Sequence, residues 1–213
     1  MLKRHSLKLS IMIILIMVIS AGCSNVFNKN NKIAYIFSNT ESIYQKTFEE
    51  LNLGIIFDFN LRLPNADKSW VEIWVEGYSD GEMVEPFPIT GLSYGLNPKQ
   101  VVEGSMGFGI INPNIDEMQF LFYSPDANTK TELNYINNDF FIDDGISGWG
   151  YAINNKMVEL ESGEEKLLAI YRQAENQLRT YDYQDPDSIN KMINEDKKVL
   201  LLIIKVEEIE EKD

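Results

Sequence analysis

The chain has 213 residues, of which 33 are acidic and 19 basic, for a formal net charge of −14; it holds one histidine, His5, and one cysteine, Cys23. Both lie in the first 23 residues, so the remainder has no imidazole base and no thiol. Ser-His-Asp and Cys-His nucleophilic catalysis and His/thiolate zinc sites are excluded there, and a single cysteine forms no intramolecular disulfide.

The first element is a leader. Lys3, Arg4 and Lys8 precede the uncharged run 11–19, IMIILIMVI, and Ser20-Ala21-Gly22-Cys23 follows. A basic start, a short apolar stretch and small residues before a cut follow the logic of a secretory signal. The run falls short of the ~20 residues that a spanning helix needs. Residues 1–23 resemble the signal of bacterial lipoproteins: Ala21, Gly22 and Cys23 match the lipobox, and Ser20 stands where leucine is commonest. The resemblance implies cleavage before Cys23, a diacylglyceryl/N-acyl anchor on that residue, and a place on the extracytoplasmic face of the cell membrane. Two acyl chains anchor stably where one binds marginally. Loss of residues 1–22 would remove three bases and no acid, leaving 16 basic against 33 acidic residues and a charge of −17. Such a surface repels phosphate backbones, so nucleic acid is not an expected partner. Residues 24–32, SNVFNKNNK, read as a polar tether. The Asn-, Ile- and Lys-rich composition suits an AT-rich genome, such as many Gram-positive bacteria have.

About 180 residues then remain, enough for one domain with a real core. Residues 33–37 predict a strand and 41–51 a helix. From Gly54 the period becomes two: Phe57, Phe59, Leu61 and Leu63 alternate with Asp58, Asn60 and Arg62. Residues 70–78 alternate again, with Val71, Ile73 and Val75 on one face and Trp70, Glu72, Trp74, Glu76 and Tyr78 on the other. Asp80-Gly81 is hairpin chemistry leading to a partner from Met83. Strands are expected near 105–111 and 118–123, joined through Asn112-Pro113-Asn114, with shorter ones at 133–137, 149–153 and 157–161. Glycines 145, 148 and 150 are expected to break their region into loops. Segment 162–179 reads two ways. Ser162 and Glu165 form a capping box before a helical face, or Gly163 is a turn into a strand Leu167–Arg172; the helix is the favoured reading. Asp187-Ser188, after Pro186, predicts a short helix with Asp187 as its cap, and Val199–Val206 a buried final strand.

The expected fold is mainly β: an antiparallel β-sandwich, immunoglobulin-like or similar, with one to three short helices. Residues 1–22 are the leader, 23–32 the lipidated cysteine and tether, 33–208 one β-rich domain and 209–213 a charged tail.

The face of Trp70, Glu72, Trp74, Glu76 and Tyr78 is the candidate ligand-binding surface. Residues i and i+4 lie ~13 Å apart along one strand face, which suits stacking on successive sugar rings with carboxylates accepting hydroxyl hydrogen bonds. The competing and favoured expectation is that the rings pack beneath a loop or helix, since tryptophan is usually largely buried. Asp139, Asp143 and Asp144 invite a calcium reading, but Phe141 falls on a ligand position of the EF-hand spacing, so no metal or cofactor is expected. Asp182, Asp185 and Asp187 form a weaker cluster. GSMGFG at 104–109 lies inside a predicted strand and fails as a phosphate loop. The functional expectation is a membrane-anchored surface lipoprotein with a non-catalytic binding or structural role, its partner an envelope protein or a cell-wall polysaccharide. A carbohydrate-binding module is the first alternative and a carboxylate-dependent hydrolase the second.

Overall fold

Alternating apolar residues from Lys32 onward build two antiparallel sheets in the computed structural model, which describes residues 32–85, 87–111, 119–125, 133–135 and 145–209. Contacts gather Lys32–Asp213 into one unit. The leader, Cys23, most of the tether, Asn112-Pro113-Asn114, Asp139, Asp143 and Asp144 lie outside the described residues. Among the described residues no helix is long and apolar enough to cross a membrane.

The elements run β1 (Lys32–Ser38), α1 (Ile43–Glu50), β2 (Gly54–Leu63), β3 (Ser69–Ser79), β4 (Glu82–Met83), β5 (Thr90–Gly95), β6 (Val102–Ile111) and β7 (Gln119–Tyr123). Then come β8 (Leu133–Tyr135), β9 (Ile146–Tyr151), β10 (Val158–Glu161), β11 (Glu165–Ala174), α2 (Pro186–Glu195) and β12 (Lys198–Glu208). The first sheet has the order β10-β1-β2-β6-β7-β8; in the second, β4 and β5 both flank β3, followed by β12, β11 and β9.

Period two decides what each face does. Phe57, Phe59 and Leu61 of β2 and Phe108 and Ile110 of β6 turn inward and meet Val71, Ile73, Val75, Leu202 and Ile204 of the second sheet in one buried core. Both β11 and β12 are apolar on their outer faces too. Ile170, Val199, Leu201 and Ile203 form a second cluster with Met192 and Ile193 of α2. A strand buried on both sides carries a continuous apolar run, which explains Val199–Val206. It also explains why 162–179 is not the favoured helix. Leu168, Ala169, Ile170 and Tyr171 are all buried in β11, between β12 and β9. Four consecutive buried positions suit a strand roofed on both faces better than one helical stripe. Gly163 sits at φ +77 and carries the chain from β10 in one sheet to β11 in the other. The expected cap residues serve that crossing instead: Ser162 Oγ accepts the Glu208 N–H at 2.9 Å.

Other differences are local. Gly148 and Gly150 lie within β9 rather than breaking it. They face Leu178 and Tyr183, and a Cβ on Gly148 would stand 2.6 Å from Leu178 Cδ1. Helix α2 begins as predicted, but its cap is Asp185, whose carboxylate accepts the Asp187 N–H at 3.2 Å, with Pro186 in the first turn. Asp80 and Gly81 have φ 52 and 85, as a two-residue hairpin requires. Its second arm stops after Met83. The chain loops out, and β5, which glycines 91 and 95 hide from periodicity, resumes pairing beside β3.

Candidate functional site

The interruption between β4 and β5 opens a recess on the outer face of the second sheet. Phe87 and Pro88 stand in that loop beside the outer face of β3 and border an open cleft of about 320 Å³. Glu72, Trp74 and Glu76 line its floor, with Ser93 of β5, Glu165 of β11 and Lys205 of β12. Strand register brings these together: Lys205 pairs with Glu72 on one side and Glu165 on the other, and Gly91 pairs with Trp74. A Cβ on Gly91 would lie 2.9 Å from the Ile73 carbonyl and 3.2 Å from Trp74 Cβ, so glycine leaves the cleft its depth there.

The polar groups are tied to one another. Lys205 Nζ lies 2.9 Å from Glu72 Oε2 and 3.2 Å from Glu207 Oε1, and these carboxylates hold its pKa above the usual lysine value. The Trp74 indole donates to Glu76 Oε1 at 3.1 Å and the Tyr78 hydroxyl to Glu76 Oε2 at 2.9 Å. Burial, then the Glu76 carboxylate, pushes Tyr78 far above the ordinary tyrosine range, so it remains a donor. Trp74 is half-buried: it packs against the α2 cluster while part of it lines the cleft. Of the five predicted residues the cleft therefore unites Glu72, Trp74 and Glu76. Tyr78 lies in the second cluster, and Trp70 sits half-buried beside Gly95. Phe87 and Ser93 come from a segment without distinctive motifs, and Glu165 and Lys205 belong to a capping-box pattern and a predicted strand that say nothing of a cleft; only the sheet order brings them together. Chemically, the cleft offers two aromatic surfaces and a row of hydrogen-bond acceptors balanced by one ammonium.

Two further polar groupings lie elsewhere. On the outer face of the first sheet Asp58 is fully buried. Its carboxylate accepts from the Tyr123 hydroxyl at 2.6 Å and from Asn39 Nδ2 at 2.9 Å, and its backbone N–H donates to the Tyr151 hydroxyl at 3.0 Å. Burial raises the Asp58 pKa despite these donors, and burial together with Asp58 raises Tyr123 well beyond the ordinary range. Gly107 makes room, because a Cβ there would collide with the Tyr123 hydroxyl. The arrangement pins α1: the Ser42 hydroxyl that caps it also bonds Asp58, and Gln45 donates to Tyr151 at 2.8 Å. Near α2, Arg172 pairs with Asp196 at 2.9 Å, both almost wholly buried, donates to the Arg179 carbonyl and lies 4.9 Å from the Tyr181 ring centre. Arg172 thus ties the 175–183 loop to the sheet.

Asp182 and Asp185 accept backbone N–H groups, and no metal-holding cluster of His, Cys, Asp or Glu occurs among the described residues. Comparison with protein-family models, with curated proteins and with solved structures gives no match in any of the three.

Proposed function

We propose that the chain is a lipid-anchored protein of the bacterial cell envelope whose sandwich binds a ligand without performing chemistry on it. The Trp74–Phe87 cleft is the observation that carries this reading. It is an open recess with aromatic walls, and its Glu72 and Glu76 carboxylates are already committed as acceptors, Glu72 to Lys205 and Glu76 to Trp74 and Tyr78. Aromatic rings beside fixed acceptors suit hydroxyl-rich and planar ligands, and cell-wall polysaccharide is the ligand class that best combines with an anchor on Cys23. Phe87 is 49% exposed, so its removal tests binding apart from folding. Phe87→Ala is expected to melt like the wild type and to be pulled down less by peptidoglycan or wall polysaccharide. Undiminished pull-down would remove the cleft from the proposal. For the anchor, Cys23→Ala is expected to stay as uncleaved precursor or to leave the membrane fraction. An unmodified Cys23 in the intact mass of the mature wild type would overturn that part.

A further inference from the structure

We propose that, within the glycan-binding reading of the Trp74–Phe87 cleft on which this rests, the unit selected is an amino sugar whose amine is free and protonated. The charge of the lining carries the inference. Among the described residues, the carboxylates of Glu72, Glu76 and Glu165 line the cleft against one ammonium, that of Lys205. Lys205 Nζ is already shared between Glu72 at 2.9 Å and Glu207 at 3.2 Å, so it does not offset Glu76 or Glu165. The recess is therefore a negative site in a chain that itself carries −14. Such a field draws cations in and turns phosphate and carboxylate ligands away.

The supply of hydrogen bonds favours the same ligand. The Trp74 indole N–H and the Tyr78 hydroxyl are engaged by Glu76, and Lys205 Nζ is engaged by two glutamates. What the cleft offers a ligand is thus mostly acceptor capacity, since an ionised carboxylate has about four lone-pair sites. An acetamido group on a sugar brings a carbonyl that needs a donor. A protonated amine brings N–H donors and a positive charge instead.

The strand geometry places these groups around one ring. Glu72 and Glu76 stand two residues to either side of Trp74 on the same face of β3, each ~7 Å along the strand. A pyranose resting on Trp74 beside Phe87 has a carboxylate toward each end. Register sets Glu165 of β11 across Lys205 from Glu72. The aromatic faces themselves attract a cation, and more strongly where water is partly excluded.

The test compares two ligands that differ only in charge, the disaccharide of glucosamine and its fully N-acetylated twin. Each is titrated into the full chain in detergent and followed by the Trp74 indole N–H resonance, which Trp74→Phe identifies. The expected result is that the free amine binds about tenfold or more tightly than the acetylated twin at low salt. That ratio is expected to fall as salt rises, and to vanish at a pH that deprotonates the sugar amine. Glu165 is exposed, and Glu165→Lys is expected to narrow the ratio at least about twofold. Phe87→Ala is expected to weaken both ligands. An acetylated twin that binds as well as the amine would overturn the amino-sugar assignment and leave the cleft as a glycan site. A ratio unaltered in Glu165→Lys would overturn the assignment too. Amine binding that Phe87→Ala leaves intact would reveal attraction to the acidic surface at large and would also overturn it. Failure of both ligands to move the Trp74 signal would overturn the assignment together with the glycan reading.

Discussion

Arg172 and Asp196 show what single residues carry here. The pair stands between strand and loop with side chains only 7% and 3% exposed. Removing one partner leaves a buried charge without compensation, so Arg172→Ala is expected to cost about 3–5 kcal/mol in urea unfolding. Asp58 acts in the opposite sense. Its pKa is raised, so the folded state binds its proton more tightly than the unfolded chain. Its contribution to stability is complete below the ordinary value of 3.8 and is lost as pH rises through the raised folded value. Asp58→Asn is therefore expected to flatten the stability profile just above the usual carboxylate range, measured by unfolding at stepped pH; an unchanged slope would contradict burial as the cause. Trp74→Ala removes a half-buried ring from the α2 cluster and should cost ~2–3 kcal/mol, where exposed Phe87→Ala changes stability by no more than about 0.5 kcal/mol.

At the level of elements, alternation made the core faces of β2 and β3 legible. Val71, Ile73 and Val75 face the core as expected, and Val75→Ala should lower stability by about 1–3 kcal/mol in thermal or chemical melts. Of the two strands buried on both faces, β12 was legible from its continuous apolar run and β11 was not. Without alternation, β11 offered only a capping box and scattered leucines, which matched a helix equally well. Whether Ile170 lies under α2 depends on an element that begins twelve residues after β11 ends, and no local window contains it. The same holds for the cleft. Its aromatic and carboxylate floor was visible along β3, but Lys205, Glu165 and Phe87 reach it through pairings across the whole chain. Asp58 looked like an ordinary outward polar residue of β2, because nothing near it announced Tyr123. Gly163, at φ +77 with open space around it, makes a local prediction: Gly163→Ala should cost ~1 kcal/mol through backbone strain alone.

For the whole molecule, the absence of histidine and thiol after Cys23 and the lack of a metal-holding cluster among the described residues lead to one expectation. Melting curves with and without EDTA should coincide. A rise of several degrees with millimolar calcium would direct attention to Asp139, Asp143 and Asp144. The order of the second sheet has a kinetic consequence as well. Strands β3 and β11 are separated by β12, which pairs with β3 along all its eleven residues and follows both in the chain. Until residues 198–208 arrive, that sheet exists as two incomplete halves with open edges, and the closing contact spans more than a hundred residues of sequence. Topologies of this kind fold slowly and expose pairing surfaces while they wait. A chain ending at Lys197 should thus be an aggregation-prone receptor with a slot one strand wide, and a synthetic peptide of residues 198–208, supplied in trans, should fill it and restore solubility.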